Sequence, residues 1–169
     1  SGNDNSAIGF NSLLNNTTGT RNTAQGFEVL CSNTTGSYNV AIGYKSIYNN
    51  TSGTFNVANG YLSLYANTTG SNNVAVGYQA GRFITDGSTA NTTGDYNVFL
   101  GTDTKALADN DQNEIVIGYN ATGLGSNSAV LGNDSITKTV LKGNVGIGTA
   151  APTIRLTIKD LQDSSFNSG

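Results

Sequence analysis

Few residues in this sequence have side chains able to do chemistry, and they fall in three places. The densest is acidic: Asp109, Asp111 and Glu114, with Asp103 upstream, offer hard carboxylate oxygens on a turn, the ligand type that calcium takes. They lack the ligand spacing of a full calcium loop, so a solvated turn is the plainer reading. Cys31 is the sole cysteine, forms no internal disulfide, and is expected to be a packing or surface thiol. The third place is residues 82–90, RFITDGSTA, where Arg82, Phe83, Ile84 and Asp86 suit a contact patch. Tyr38, Phe55 and Tyr96 join them as aromatics able to stack on sugar rings or anchor a protein, or simply to stiffen the fold by packing. Zero histidine removes the commonest general base and the commonest zinc ligand, and with them hydrolytic triads and His-based metal sites. No catalytic residue and no cofactor is expected.

Charge narrows the partners further. With 8 Lys+Arg against 11 Asp+Glu and a net charge of −3, there is no basic field for a phosphate backbone, so nucleic acid is not an expected partner. No apolar run approaches membrane-spanning length, so no membrane insertion is expected within the chain. Met is absent even at position 1, which suggests a fragment or processed product whose signal or anchor lies elsewhere.

What must position these residues is a repeat. Asn, Thr, Gly and Ser number 24, 22, 22 and 16, a composition that would suit disorder if the apolar residues kept no register. They keep one. A short apolar segment closed by glycine recurs nine times: NSAIG, NTAQG, NVAIG, NVANG, NVAVG, NVFLG, EIVIG, SAVLG and NVGIG, ending at Gly9, Gly26, Gly43, Gly60, Gly77, Gly101, Gly118, Gly132 and Gly148. The spacings are 17, 17, 17, 17, 24, 17, 14 and 16, and the 24 marks a seven-residue insert within residues 82–90. A solenoid takes inserts as loops leaving one face, often a binding face.

The columns assign roles. Seven residues before most closing glycines stands another glycine, in five copies the last residue of NTTG or NTSG, which predicts a turn with positive φ at that glycine. The repeated turn also accounts for the Asn-x-Ser/Thr sequons without glycosylation. NVAVG then alternates, predicting a strand of about five residues with Val74 and Val76 on one face and Ala75 on the other. The Val/Ile face is expected to be buried, and the small Ala face to admit a close neighbour. After the glycine, Phe10, Phe27, Tyr44, Tyr61 and Tyr78, followed three residues later by an apolar column at Leu13, Leu30, Ile47 and Leu64, predict a second strand in each coil. Asn22, Asn39, Asn56, Asn73 and Asn97 share one column and are expected to stack as an amide ladder, while Gly43, Gly60 and Gly77 close the strands. The fold class expected is all-β, a parallel β-solenoid of 14- to 17-residue coils. A coil this thin has little core of its own, so assembly around an axis is expected.

The NVAIG-type strands at this spacing resemble the left-handed parallel β-roll heads of trimeric autotransporter adhesins, and units such as NTTGSNNVAVGYQA resemble head-type repeats of phage tail fibres and fibre-like surface proteins. Residues 2 to about 148 carry the likeness. It implies a homotrimeric, extracellular, non-enzymatic fibre segment on a virion tail fibre, injection device or bacterial surface, presenting turns and loops to a host cell-surface glycan or protein. Gln25, Asn59 and Phe99 depart from the pattern. Residues 1–148 then form the repeat array, and 149–169 a strand or linker leading to a missing domain. Gly146, Ile147, Gly148, Thr149, Pro152, Leu156 and Ile158 resemble the segment that precedes a C-terminal trimerising or self-cleaving chaperone in fibre proteins. Two other readings compete: an ice- or mineral-binding solenoid, against which the Thr residues sit in turns rather than on a strand face, and a polysaccharide-cleaving tailspike, for which the repeats supply almost no paired carboxylates.

Overall fold

A computed structural model describes residues 2–142. The chain divides into two compact units, Ser1–Ser135 and Ile136–Gly169. The first is a parallel β-solenoid of about seven turns. Of the second, residues 136–142 are described and carry no regular secondary structure. The ninth repeat, the 148/149 boundary and the motif from Gly146 to Ile158 lie outside the described residues.

Eight strands stack in chain order in one parallel sheet: β1 (Ser6–Ile8), β2 (Thr23–Gln25), β3 (Val40–Ile42), β4 (Val57–Asn59), β5 (Val74–Val76), β6 (Val98–Leu100), β7 (Ile115–Ile117) and β8 (Ala129–Leu131). The repeat sets the register without a slip: Ala24 pairs with Ala41, Ala41 with Ala58, Ala58 with Ala75, Ala75 with Phe99 and Phe99 with Val116. Even across the 24-residue interval the columns realign.

The strands are three residues long, not five, and each coil holds one strand, not two. The segment after the closing glycine instead alternates into the left-handed region: Glu28 and Leu30 have φ of 51° and 49°, Lys45 and Ile47 51° and 47°, Leu62 and Leu64 57° and 46°. It still bonds coil to coil, as in Leu30 N–H to the Ser46 carbonyl at 3.2 Å and Ile47 N–H to the Ser63 carbonyl at 3.0 Å, so the backbone stays paired without extended geometry. The reason is space. A 17-residue coil must turn its chain fully around a narrow core, and alternating right- and left-handed residues turn it faster than a strand does.

The two strand faces are the reverse of the expectation. Ala24, Ala41, Ala58 and Ala75 line the interior with Leu30, Ile47 and Leu64, while Val40, Val57 and Val76 face outward and are exposed. The narrow interior admits only a methyl group opposite a leucine. Polar Gln25 and Asn59 are tolerated because their column is the outer one. Phe99 is the informative exception: it is fully buried in the Ala column, and Gly81 stands where earlier coils place Leu or Ile. A Cβ on Gly81 would lie 2.5 Å from the Phe99 ring, so the aromatic fills the volume the leucine gave up.

Candidate functional site

The asparagine column forms the expected ladder. Asn22, Asn39, Asn56 and Asn73 are buried, and each side-chain oxygen accepts the backbone N–H of the next column member at 2.9–3.0 Å, through Asn97. Each Nδ2 donates to the turn-glycine carbonyl one coil on, as in Asn22 to Gly36 and Asn39 to Gly53, both at 2.9 Å. A second ladder runs through the turn asparagines: Asn33, Asn50 and Asn67 each donate to the previous member's oxygen and also to the glycine carbonyl three residues on. At Asn33, Asn50 and Asn67 the sequon amide nitrogens are therefore committed inside the turn, whereas Asn91 donates instead to the Gly81 carbonyl at 3.4 Å. Gly125 takes positive φ, 94°, but the NTTG and NTSG glycines do not; they are small because the coils touch there, and a Cβ on Gly36 would meet the Gly53 carbonyl at 2.5 Å. The strand-closing glycines also take positive φ, 128° at Gly43, 149° at Gly60 and 135° at Gly77.

The acidic residues are caps for these ladders. In earlier coils the paired turn N–H groups, such as those of Thr34 and Thr35, share the next coil's Thr51 carbonyl. The coil after NTTG 91–94 has no such turn, and Asp109 replaces the carbonyl: its carboxylate accepts Thr92 N–H at 2.7 Å, Thr93 N–H at 2.9 Å and both hydroxyls. Burial pushes this carboxyl up, but these hydrogen bonds prevail and hold it below its usual value. Asp111 accepts Ala108 N–H at 2.8 Å and the Ser126 hydroxyl at 3.0 Å. Glu114 ends the asparagine column fully buried rather than solvated, its Oε1 accepting Gly125 N–H at 2.8 Å and its Oε2 without a partner among the described residues. Burial first, and then the Asp111 charge, push its carboxyl above the usual range. Among the described residues no group of three acidic, His or Cys side chains converges to hold a metal ion. Cys31 is buried, and burial raises its thiol pKa.

The outer surface carries the aromatics. Phe10, Phe27, Tyr44, Tyr61 and Tyr78 form a continuous exposed stack, with ring centroids 5.0–5.3 Å apart, beside the outward Val and Ile columns. Both faces of the middle rings are covered by neighbours, so the stack presents ring edges. Tyr38 and Phe55 stack at 4.8 Å, and Arg21 lies over Tyr38 at 5.3 Å, which leaves Tyr38 little free face for a sugar. Tyr96, 59% exposed, has no aromatic partner among the described residues.

The insert is a hairpin folded back on the solenoid rather than a loose loop. Phe83 pairs antiparallel with Ala90, Ile84 N–H donates to the Thr89 carbonyl at 3.0 Å, and Asp86 caps the tip by accepting Ser88 N–H at 2.8 Å and Thr89 N–H at 2.6 Å, together with the Thr89 hydroxyl. The Thr89 bonds, then that from Ser88, lower the Asp86 carboxyl to about 2. Ile84 bridges to Ala106 and packs against the core, and the Thr85 hydroxyl donates to the Leu107 carbonyl at 3.0 Å. Arg82 lies over the rings of Tyr65 and Phe83, at 4.9 and 4.4 Å. Between the hairpin and the solenoid wall opens a cleft of about 220 Å³, lined by Gln79, Phe83, Gly87, Asp103, Lys105 and Asn120. Of these, only Phe83 was a contact candidate from the sequence, and the insert's position in the repeat is the signal that points to the rest.

No family model, curated protein or solved structure matches the chain. No helix among the described residues is long and apolar enough to cross a membrane.

Proposed function

We propose that this chain is a non-enzymatic segment of a homotrimeric surface fibre, a left-handed β-roll of the adhesin-head and tail-fibre type. In this reading it works outside the cell, on a virion tail fibre, an injection device or a bacterial surface, and attaches to a host cell-surface glycan or protein. One observation carries the reading: the apolar strand columns and the stacked aromatics lie on the outside of the coil, with Val57 39% exposed and Tyr61 44% exposed. An exposed surface this rich in apolar residues, interrupted where Thr23, Gln25 and Asn59 stand in the column, marks a contact surface. Because the outward columns recur in register from coil to coil, apolar in most coils and polar at Thr23, Gln25 and Asn59, a second and third copy of the same chain match them coil for coil, and closed rotational symmetry limits the assembly. Turns and hairpin then face solvent in three copies, so weak contacts add through avidity. Light scattering is expected to give three times the 17.4 kDa chain mass. A stable folded monomer would remove the trimer, and failure of the labelled trimer to bind any candidate host cell would remove attachment.

A further inference from the structure

The cleft beneath the hairpin holds opposite charges that do not neutralise each other. Asp103 and Lys105 both line it, yet they form no ion pair among the described residues, and the Asp103 carboxylate accepts no hydrogen bond there. Lys105 Nζ donates to the backbone carbonyl of Asp103 at 3.1 Å and to Asn120 Oδ1, which leaves one of its three protons. Asn120 retains its amide N–H groups. Gln79 Nε2 donates to the Tyr78 hydroxyl at 2.6 Å, leaving its carbonyl oxygen open. The residues lining the cleft thus carry a carboxylate and an amide oxygen as acceptors, an ammonium and an amide nitrogen as donors, and the Phe83 ring, one face of which Arg82 covers at 4.4 Å, as apolar surface.

We infer that this cleft binds one neutral sugar residue of a host-surface glycan. An anionic ligand would face Asp103, and a cationic one would face Lys105. A pyranose satisfies both, since each hydroxyl donates and accepts, while its C–H face rests on the aromatic ring. A volume of about 220 Å³ suits one sugar ring rather than a peptide segment. The wall is held in advance: Ile84 is anchored in the core, Thr85 is bonded to the next coil, and Asp86 closes the tip, so little ordering accompanies binding. The inference rests on the attachment reading above and names the chemistry that one part of that surface would recognise.

The test is saturation-transfer NMR on the whole chain with methyl glycosides of glucose, galactose and N-acetylglucosamine as probes. Transfer to at least one glycoside is expected, and the double variant D103N/K105M should weaken that binding by about tenfold or more without changing the melting temperature. Asn accepts the left-handed backbone of Asp103, φ 54°, so the fold is preserved. Phe83→Leu keeps the packing and removes the ring, and should weaken the same glycoside. No transfer from any glycoside, or transfer that both variants leave unchanged, overturns the sugar site. Cell attachment that persists without a glycoside signal removes the cleft alone, whereas glycoside binding with no cell attachment supports the cleft and removes the attachment reading.

Discussion

Eight residues, each two places after a turn position, share the left-handed region with φ between 55° and 63°: Asp4, Arg21, Tyr38, Phe55, Asn72, Tyr96, Asn113 and Asn127. Asn and Asp take this geometry readily, whereas a bulky side chain there costs roughly 1–2 kcal/mol. Tyr38 and Phe55 recover part of that cost by stacking on each other; Tyr96 has no such partner among the described residues. Tyr96→Asn should therefore stabilise the fold by about 1 kcal/mol, measured by chemical denaturation. A loss of stability would show that the ring packs in a way its exposure conceals. If the same variant binds host cells less well, its strain serves contact. Glu114 makes a second prediction at this scale. Its folded pKa lies above the ordinary 4.5, so the folded state holds the proton more tightly than the unfolded chain. Its contribution is fully present below pH 4.5, is lost as pH rises through the raised folded value, and is flat above. Glu114→Gln keeps the neutral form and the Gly125 bond at every pH. It should match the wild type in acid and melt higher at neutral pH, and equal melting at both would refute the assignment.

Within the coils, what matters is which side chains share a layer. Phe99 and Gly81 are the aromatic-plus-glycine version of the alanine-plus-leucine pair used by the coils before them. Phe99→Ala alone should cost about 3–5 kcal/mol through the cavity it leaves. Gly81→Leu alone should also destabilise, because its Cβ meets the ring at 2.5 Å. The double change restores the ordinary layer, and Gly81 at φ 64° sits close to the left-handed geometry that Leu64 adopts at 46°. A double-mutant cycle should recover most of the two losses, and simple additivity would show that the layers are independent. This coupling also shows what was legible beforehand. The period, the register, the asparagine ladder and the place of the insert follow from spacing alone, because in-register stacking repeats every column. The inside and outside of the strand do not follow, because alternation distinguishes two faces without saying which is the core. The bulkier Val74 and Val76 suggested the buried face, but the coil is so narrow that Ala75 fits it better. Nor could spacing reveal the second segment, where Leu30 and Ile47 lie in left-handed backbone that residue type disfavours and burial stabilises. The cleft residues were hidden for the same reason: Gln79, Asp103 and Asn120 have φ of 52°, 54° and 51° in that same turning segment.

For the whole molecule, inverted faces change what tests assembly. Ala75 is fully buried within its own coil, so a bulky charged residue there should unfold the solenoid through overpacking and an unpaired buried charge, whatever the oligomeric state. The outward column is the discriminating one. Val57 and Val76 contribute little to the core of their own coil, being 39% and 42% exposed, and both belong to the strip proposed to meet the other copies. In an isolated chain, Val57→Lys and Val76→Lys should be nearly neutral, as surface substitutions away from special features usually are, within about 0.5 kcal/mol. In a trimer around an axis, each change places three like charges in one buried layer, where removing them from water and their mutual repulsion both oppose association. The pair should therefore turn a trimer into a folded monomer, with parallel-sheet circular dichroism retained and the scattering mass falling to that of one chain. Lys on the turn at Ser52, which is exposed and outside the strip, is the matched control and should leave the trimer intact. If the two valine variants stay trimeric, the strip is not the contact between copies, and the stacked aromatic edges face an outside partner instead.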